Sequence, residues 1–243
     1  MIQRKRFLCV LAGVAGLAFT SVPASAEWVL ELLDGGAFTK RQNITVKLQG
    51  IKYQFKDVDF KNSFTFGGRA GYWFEAVPYF GLAVDVSHFH ADIGKQTAVV
   101  CSGGPCVPPI PVAHLDFAVT GISWDVMLRL PLWTSQEFPK GRLQPYLTVG
   151  PTIFLSRAKG PIDSAQIPTS SHAETDTAVG VQAGAGLAWQ FHPNWALVAE
   201  YRFTHFDSAY SFPTVLGSNA KEERDVNTHR ALLGISYRFQ LKN

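Results

Sequence analysis

Beyond residue 26 the sequence has no run of 18 or more apolar residues, which excludes a membrane-spanning helix there. It also lacks an excess of positive charge. Of the 22 lysines and arginines, Arg4, Lys5 and Arg6 stand at the start, so 19 remain against 19 acids. That balance removes the basic footprint of a nucleic-acid-binding protein, and no nucleic-acid partner is expected. Cysteine is nearly absent: Cys9, then Cys101 and Cys106 in "CSGGPC". There is no CxxC redox motif and no further Cys or His close to this pair, which makes it weak as a metal site. No cofactor is expected.

What is present begins with an export signal. Arg4–Arg6 is followed by an apolar run over 7–19, then by Pro23-Ala24-Ser25-Ala26 with small residues where a cleavage site needs them. Residues 1–26 are therefore expected to be a signal peptide and 27–243 the mature domain; the weaker alternative is a retained anchor. Export places Cys101 and Cys106 in an oxidising compartment, so a small-loop disulfide is expected between them.

The mature sequence alternates. In "HRALLGISYRF", His229, Ala231, Leu233, Ile235, Tyr237 and Phe239 form one set, and Arg230, Leu232, Gly234, Ser236 and Arg238 the other. Successive side chains of a strand point to opposite faces, so this is a strand with one apolar and one polar face. The pattern recurs over 64–74, 79–89, 179–191 and 195–206, and less regularly over 27–38, 115–133 and 143–158. The first of these three loses strict alternation near Asp34; the last carries Pro145 and Pro151, which weaken a strand except at a bulge or end. The count is eight. Connections alternate between short (75–78, 134–141, 192–194) and long, polar ones (40–61, 90–114, 159–174, 208–226). An even strand count with this asymmetry predicts an all-β, antiparallel up-and-down barrel of the outer membrane.

A soluble eight-stranded barrel would put its apolar face inward around a ligand. Here the polar set holds Glu31, Asp85, Asp125 and Glu200 with Arg69, Arg129, Arg202 and Arg230, too many charges for an apolar cup. The apolar set ends in aromatics at the short-turn side (Tyr72 and Phe74, Trp189 and Phe191, Tyr237 and Phe239), as an interfacial girdle does. The apolar face is expected to meet lipid and the charges to fill the lumen. Eight strands leave room only for side chains, so the lumen is expected not to conduct. Glu200 and Arg202, two apart on one strand, are expected to pair mainly with neighbouring strands, and glycines 67, 71, 180, 184, 186 and 234 to make room for the arginines.

Three segments carry a resemblance: "PYLTVGPTIFL" (145–155), "AEYRFTHF" (199–206) and "THRALLGISYRF" (228–239). Through them the mature chain resembles the small eight-stranded outer-membrane barrels related to the transmembrane domain of outer membrane protein A and the opacity-type surface proteins. The last segment looks like the strand read by the barrel-assembly machinery, with Gly234, Tyr237 and Phe239 at its signal positions; Leu232 stands where that strand usually has a polar residue. The resemblance implies outer-membrane location and contact with lipid and lipopolysaccharide. It leaves the task open, since such barrels include structural proteins, adhesins and a few lipid-modifying enzymes.

One stretch, "THFDSAYS" (204–211), invites a catalytic reading. Barrels that deacylate lipid A carry His-x-Ser at a lipid-facing strand end. His205 has the right face, but Asp207 occupies the nucleophile position, Ser208 points the other way and Ser211 is too far along the strand. A metal reading of His88, His90 and His114 is weaker than that of an interfacial rim. Lys47, Lys52, Lys56 and Lys61 are the first long loop's candidates for lipopolysaccharide phosphates, against a plainly solvated loop. The leading expectation is a non-enzymatic barrel with a structural, adhesive or host-surface role in its long loops; a deacylase using His205 and a small channel are the alternatives.

Overall fold

The computed structural model describes residues 27–48, 50–102, 104, 106–112, 114–160, 172–213 and 219–240. The expected signal peptide lies outside them. Eight long strands build the barrel: β1 (Glu27–Thr39), β4 (Ser63–Trp73), β5 (Phe80–His90), β8 (Asp116–Arg129), β9 (Leu143–Gly160), β10 (His172–His192), β11 (Trp195–Pro213) and β12 (Asn219–Gln240). Each pairs antiparallel with the next, and β1 pairs with β12, so the wall closes and no edge is left in lipid. Both prolines of β9 fall outside its ladder with β8: that ladder omits Pro151 and its opposite number, and ends at Tyr146, one residue before Pro145.

The register fixes the geometry. A row of paired residues runs from Glu31 through Arg69, Asp85, Ser123, Thr152, Gly180 and Phe206 to Val226. Glu31 itself pairs with Ser236. The row thus returns to β12 ten residues from its start, a stagger that tilts the strands by about 40° from the barrel axis. The face assignment holds: Leu32, Phe64, Leu147, Val179 and Leu233 are exposed to the exterior, whereas Arg69, Asp85, Asp125, Arg202 and Arg230 are at most 3% exposed. β1 is unbroken at Asp34, whose side chain lies on the exterior face.

Two of the expected loops are not loops. Residues 40–61 contain β2 (Gln42–Leu48) and β3 (Ile51–Val58), and 90–114 contain β6 (Gln96–Cys101) and β7 (Cys106–Val112). They continue the sheet from the outer end of β12 in the order β2, β3, β6, β7. β2 is tied to β12 by Lys47 Nζ, 2.6 Å from a Glu223 oxygen, and the lysine's hydrogen bond holds that carboxyl below its ordinary range. The free edge is β7, where Pro108, Pro109 and Pro111 remove the donors that would recruit another strand. β9 to β12 run 18 to 22 residues, about twice the length needed to span a bilayer, so they also rise into this outer sheet.

The core is split by height. Phe89, Phe117, Phe154, Phe206 and Tyr210 from barrel strands pack inside the outer half with Ile44, Val58, Phe60 and Ile93 from the added hairpins and their links. Phe154 and Phe206 stack at 4.2 Å. This contradicts the expectation of long polar loops over an all-polar lumen. The aromatics have inward parity, and the hairpins supply the surface that buries them.

Candidate functional site

The charged lumen below this apolar plug is layered. Nearest the short turns, Arg129 Nη2 stands 2.8 Å from a Glu27 oxygen in an ion pair, and Arg238 Nη1 donates to Gln144 Oε1 at 2.6 Å. Arg129 lies over the Trp73 ring at 4.2 Å. The next layer is the densest. Arg69 donates to Glu31 at 2.9 Å and to Glu200 Oε1 at 3.1 Å, and stands 3.5 Å from Asp85. Arg202 donates to Asp85 at 2.8 Å and to Glu200 at 2.6 Å; Tyr146 Oη donates to Glu200 at 2.7 Å. All these side chains are buried, and each charge faces an opposite one that offsets the cost of burying it.

Two details differ from expectation. Glu200 and Arg202 bond each other as well as distant strands, because the narrow lumen folds both side chains toward the axis. Asp125 and Arg230 make no ion pair among the described residues. Asp125 accepts from Ser123 Oγ at 2.9 Å and from Gln182 Nε2 at 3.4 Å, while Arg230 donates to Gln182 Oε1 at 2.7 Å and Ser87 Oγ at 2.8 Å. Gln182 links them, a residue whose inward parity was available but whose lack of charge hid it. Glu27 and Arg238 were likewise missed, although they share the parity of Glu31 and Arg230.

The glycines make room for other groups than arginines. A Cβ at Gly186 would stand 2.5 Å from the Tyr146 ring, and one at Gly184 2.6 Å from Thr148 Oγ1 and 3.0 Å from Glu200 Oε1. Those at 67, 180 and 234 face the backbone of the adjoining strand, and that at 71 faces Met127 and Val29. Leu232, the apolar residue at a usually polar position, packs with Leu33, Tyr146 and Val198 between the charged layers.

His205 lies on the exterior face of β11, its Nδ1 2.8 Å from Asn227 Oδ1. No described serine is brought to it. Ser208 is 2% exposed on the inward face, and the Ser211 side chain lies outside the described part. Just beyond, Asp207 stands opposite Asp225 of β12, and the proximity of the two carboxyls raises that of Asp225 above the ordinary range. A nucleophile-base pair is therefore not assembled here. Of the other histidines, His88 and His90 meet edge to face at 5.2 Å, but each is turned to its own partner, and His90 Nδ1 lies 3.7 Å from Asp92. His88 Nδ1 bonds Thr120 Oγ1 at 2.9 Å, and His114 Nε2 meets Asp116 at 2.7 Å. Among the described residues no three His, Cys, Asp or Glu side chains converge as a metal site. Cys101 and Cys106 are joined by a disulfide across the β6–β7 hairpin. Tyr237 packs on Trp195 at 4.8 Å and Phe239 on Tyr237 at 5.7 Å, part of the aromatic ring at the short-turn end.

The fold resembles that of a solved structure. OprG from Pseudomonas aeruginosa, at 13% identity, aligns over 90% of this chain and all of its own with a TM-score of 0.58, a likeness of fold. Neisserial surface protein A aligns at 15% identity over 88% of this chain and 99% of its own, TM-score 0.48. Ail of Yersinia pestis, in complex with the heparin analogue sucrose octasulfate, aligns at 19% identity over 88% and 99%, TM-score 0.44. No curated protein matches the sequence. The family model for the outer membrane protein beta-barrel domain matches residues 12–239. With its closed eight-stranded wall, lipid-facing exterior and charged lumen, the chain belongs to the family of outer-membrane β-barrel proteins.

Proposed function

We propose that this outer-membrane protein is a non-conducting, non-catalytic barrel that presents a folded β-sheet at the cell surface for interaction with surfaces or ligands outside the cell. The observation that carries this reading is the outer sheet. The strands β2, β3, β6 and β7 extend the wall from β12 and share an apolar core with it, so the outer end is a rigid, built surface rather than a set of turns. Lipopolysaccharide surrounds its base at the level of His88, His205 and His229, and exposed Lys52 and Lys56 face outward from β3. The assembly machinery reads the strand bearing Gly234, Tyr237 and Phe239.

Excising residues 42–58 in favour of a short Gly-Ser link tests the reading. Cells displaying the parent are expected to adhere to epithelial monolayers or matrix-coated surfaces, and cells displaying the excised form to fall to background. The barrel of both should keep its gel shift between unheated and boiled samples. Equal adherence of both forms, or adherence by neither, would count against it.

The second expectation concerns ions. The Arg69–Glu200–Arg202 layer crosses a lumen just wide enough for side chains, so purified protein in planar bilayers is expected to be silent. Stable ohmic steps from folded protein would make the charges the lining of a pore.

A further inference from the structure

The exterior of the barrel carries one carboxyl where none is expected. Asp34 stands on the lipid-facing side of β1, six residues above Trp28 of the lower aromatic ring. With the strand tilt this is about 15 Å above that ring, inside an apolar band about 25 Å tall. Among the described residues it is the sole acid or base on the exterior between that ring and the histidines, and none hydrogen-bonds it. Beside it the surface sinks into a depression of about 690 Å³ across β10, β11, β12 and β1. Its floor is small residues, Ala185, Ala199 and Ala231, and Tyr201 stands on the side opposite Asp34.

The heights of these residues matter. Asp34 pairs with Leu233, and Leu233 with Ala199. Because the row descends in this direction, the position level with Asp34 shifts by about 1.3 residues per strand, toward lower numbers on β12 and higher ones on β11. Ala231 and Tyr201 are therefore within about 2 Å of the height of Asp34. Carboxyl, alanine and phenol lie side by side at one depth in the membrane.

We propose that this face is the contact of a two-fold dimer of the chain within the membrane, with the axis along the membrane normal beside Ala231. Under that rotation β1 of one copy lies against β11 of the other. Each Asp34 then meets Tyr201 of the second copy at its own height, twice over, and the small residues at the centre let the two walls approach. The bonding is consistent. The Tyr201 hydroxyl is already bonded to His229 Nδ1; with the imidazole proton on Nδ1 it accepts from that nitrogen and is free to donate its own proton to the carboxyl of the second copy. A lipid acyl chain would fill the depression but give the carboxyl no partner, which is why a second copy is the better occupant.

The two-fold makes Ala231 meet itself, and this gives the test. Ala231→Cys, oxidised in native outer membranes, is expected to yield a covalent dimer, while Val126→Cys on the far side of the barrel yields none. Adding Asp34→Leu or Tyr201→Phe is expected to lower the Ala231→Cys dimer about tenfold, with the gel shift of the folded barrel retained. Should Asp34→Leu fail to fold, Tyr201→Phe decides alone. A monomer throughout at Ala231→Cys, as lipid occupancy would give, overturns the proposal. So does equal dimer at both cysteine sites, or a dimer insensitive to the second substitution.

Discussion

Replacing Glu200 with leucine is expected to destabilise the folded barrel by about 3–5 kcal/mol. Glu200 receives Arg69, Arg202 and the Tyr146 hydroxyl in the densest layer of the lumen. Leucine fits the space but leaves two guanidinium groups, each at most 3% exposed, short of an acceptor, and orphans the phenol. Breaking a buried pair costs far more than the intact pair contributes, because the remaining charge stays out of water. Tyr146→Phe removes one neutral donor to the same carboxylate and is expected to cost about 1.5–3 kcal/mol. Urea unfolding in liposomes, followed by tryptophan fluorescence and the gel shift, measures both. A Glu200→Leu midpoint equal to that of the parent would mean that Glu31 and Asp85 alone satisfy the two arginines.

This network was largely legible in the sequence because parity is a strict rule in a wall with two unlike faces. Glu31, Arg69, Asp85, Asp125, Arg129, Glu200, Arg202 and Arg230 fall inward by counting alone. Their partners were not legible, since the ten-residue stagger decides which layers share a height, and alternation within single strands carries no stagger. It places Arg69 beside Glu200, although 131 positions separate them. The outer half was misread for another reason. Phe89, Phe117, Phe154 and Phe206 have inward parity, but an aromatic inside a charged lumen makes sense only with apolar hairpins to cover it. Those hairpins, with Lys47, Lys52 and Lys56 among their residues, read as polar loops. Near Asp34 the apolar-polar alternation breaks in the sequence. The strand is regular there, and the irregularity is chemical: a carboxyl on the lipid side.

At the seam, even the smallest side chain is expected to prevent closure. A Cβ at Gly234 would stand 2.1 Å from the Leu32 carbonyl oxygen and 2.7 Å from Leu33 Cδ2, both on β1. Leu33 can turn aside, but the carbonyl is backbone in the one ladder that joins the first strand to the last. Relief requires the two strands to part, and parted strands in lipid leave amide groups with nothing to bond, at several kcal/mol for each group. Gly234→Ala is accordingly expected to reduce the yield of folded, gel-shifted barrel about tenfold or more on refolding into liposomes. Leu233→Val, a neighbouring change on the lipid side where the residue is 67% exposed, is expected to fold as the parent does. Because refolding from urea uses no assembly machinery, it separates the two roles open to this glycine. Failure in liposomes and in cells alike assigns Gly234 to the seam. Normal folding in liposomes with failure in cells would instead make it a position that the assembly machinery reads, and the seam would then have to open enough to hold a methyl group.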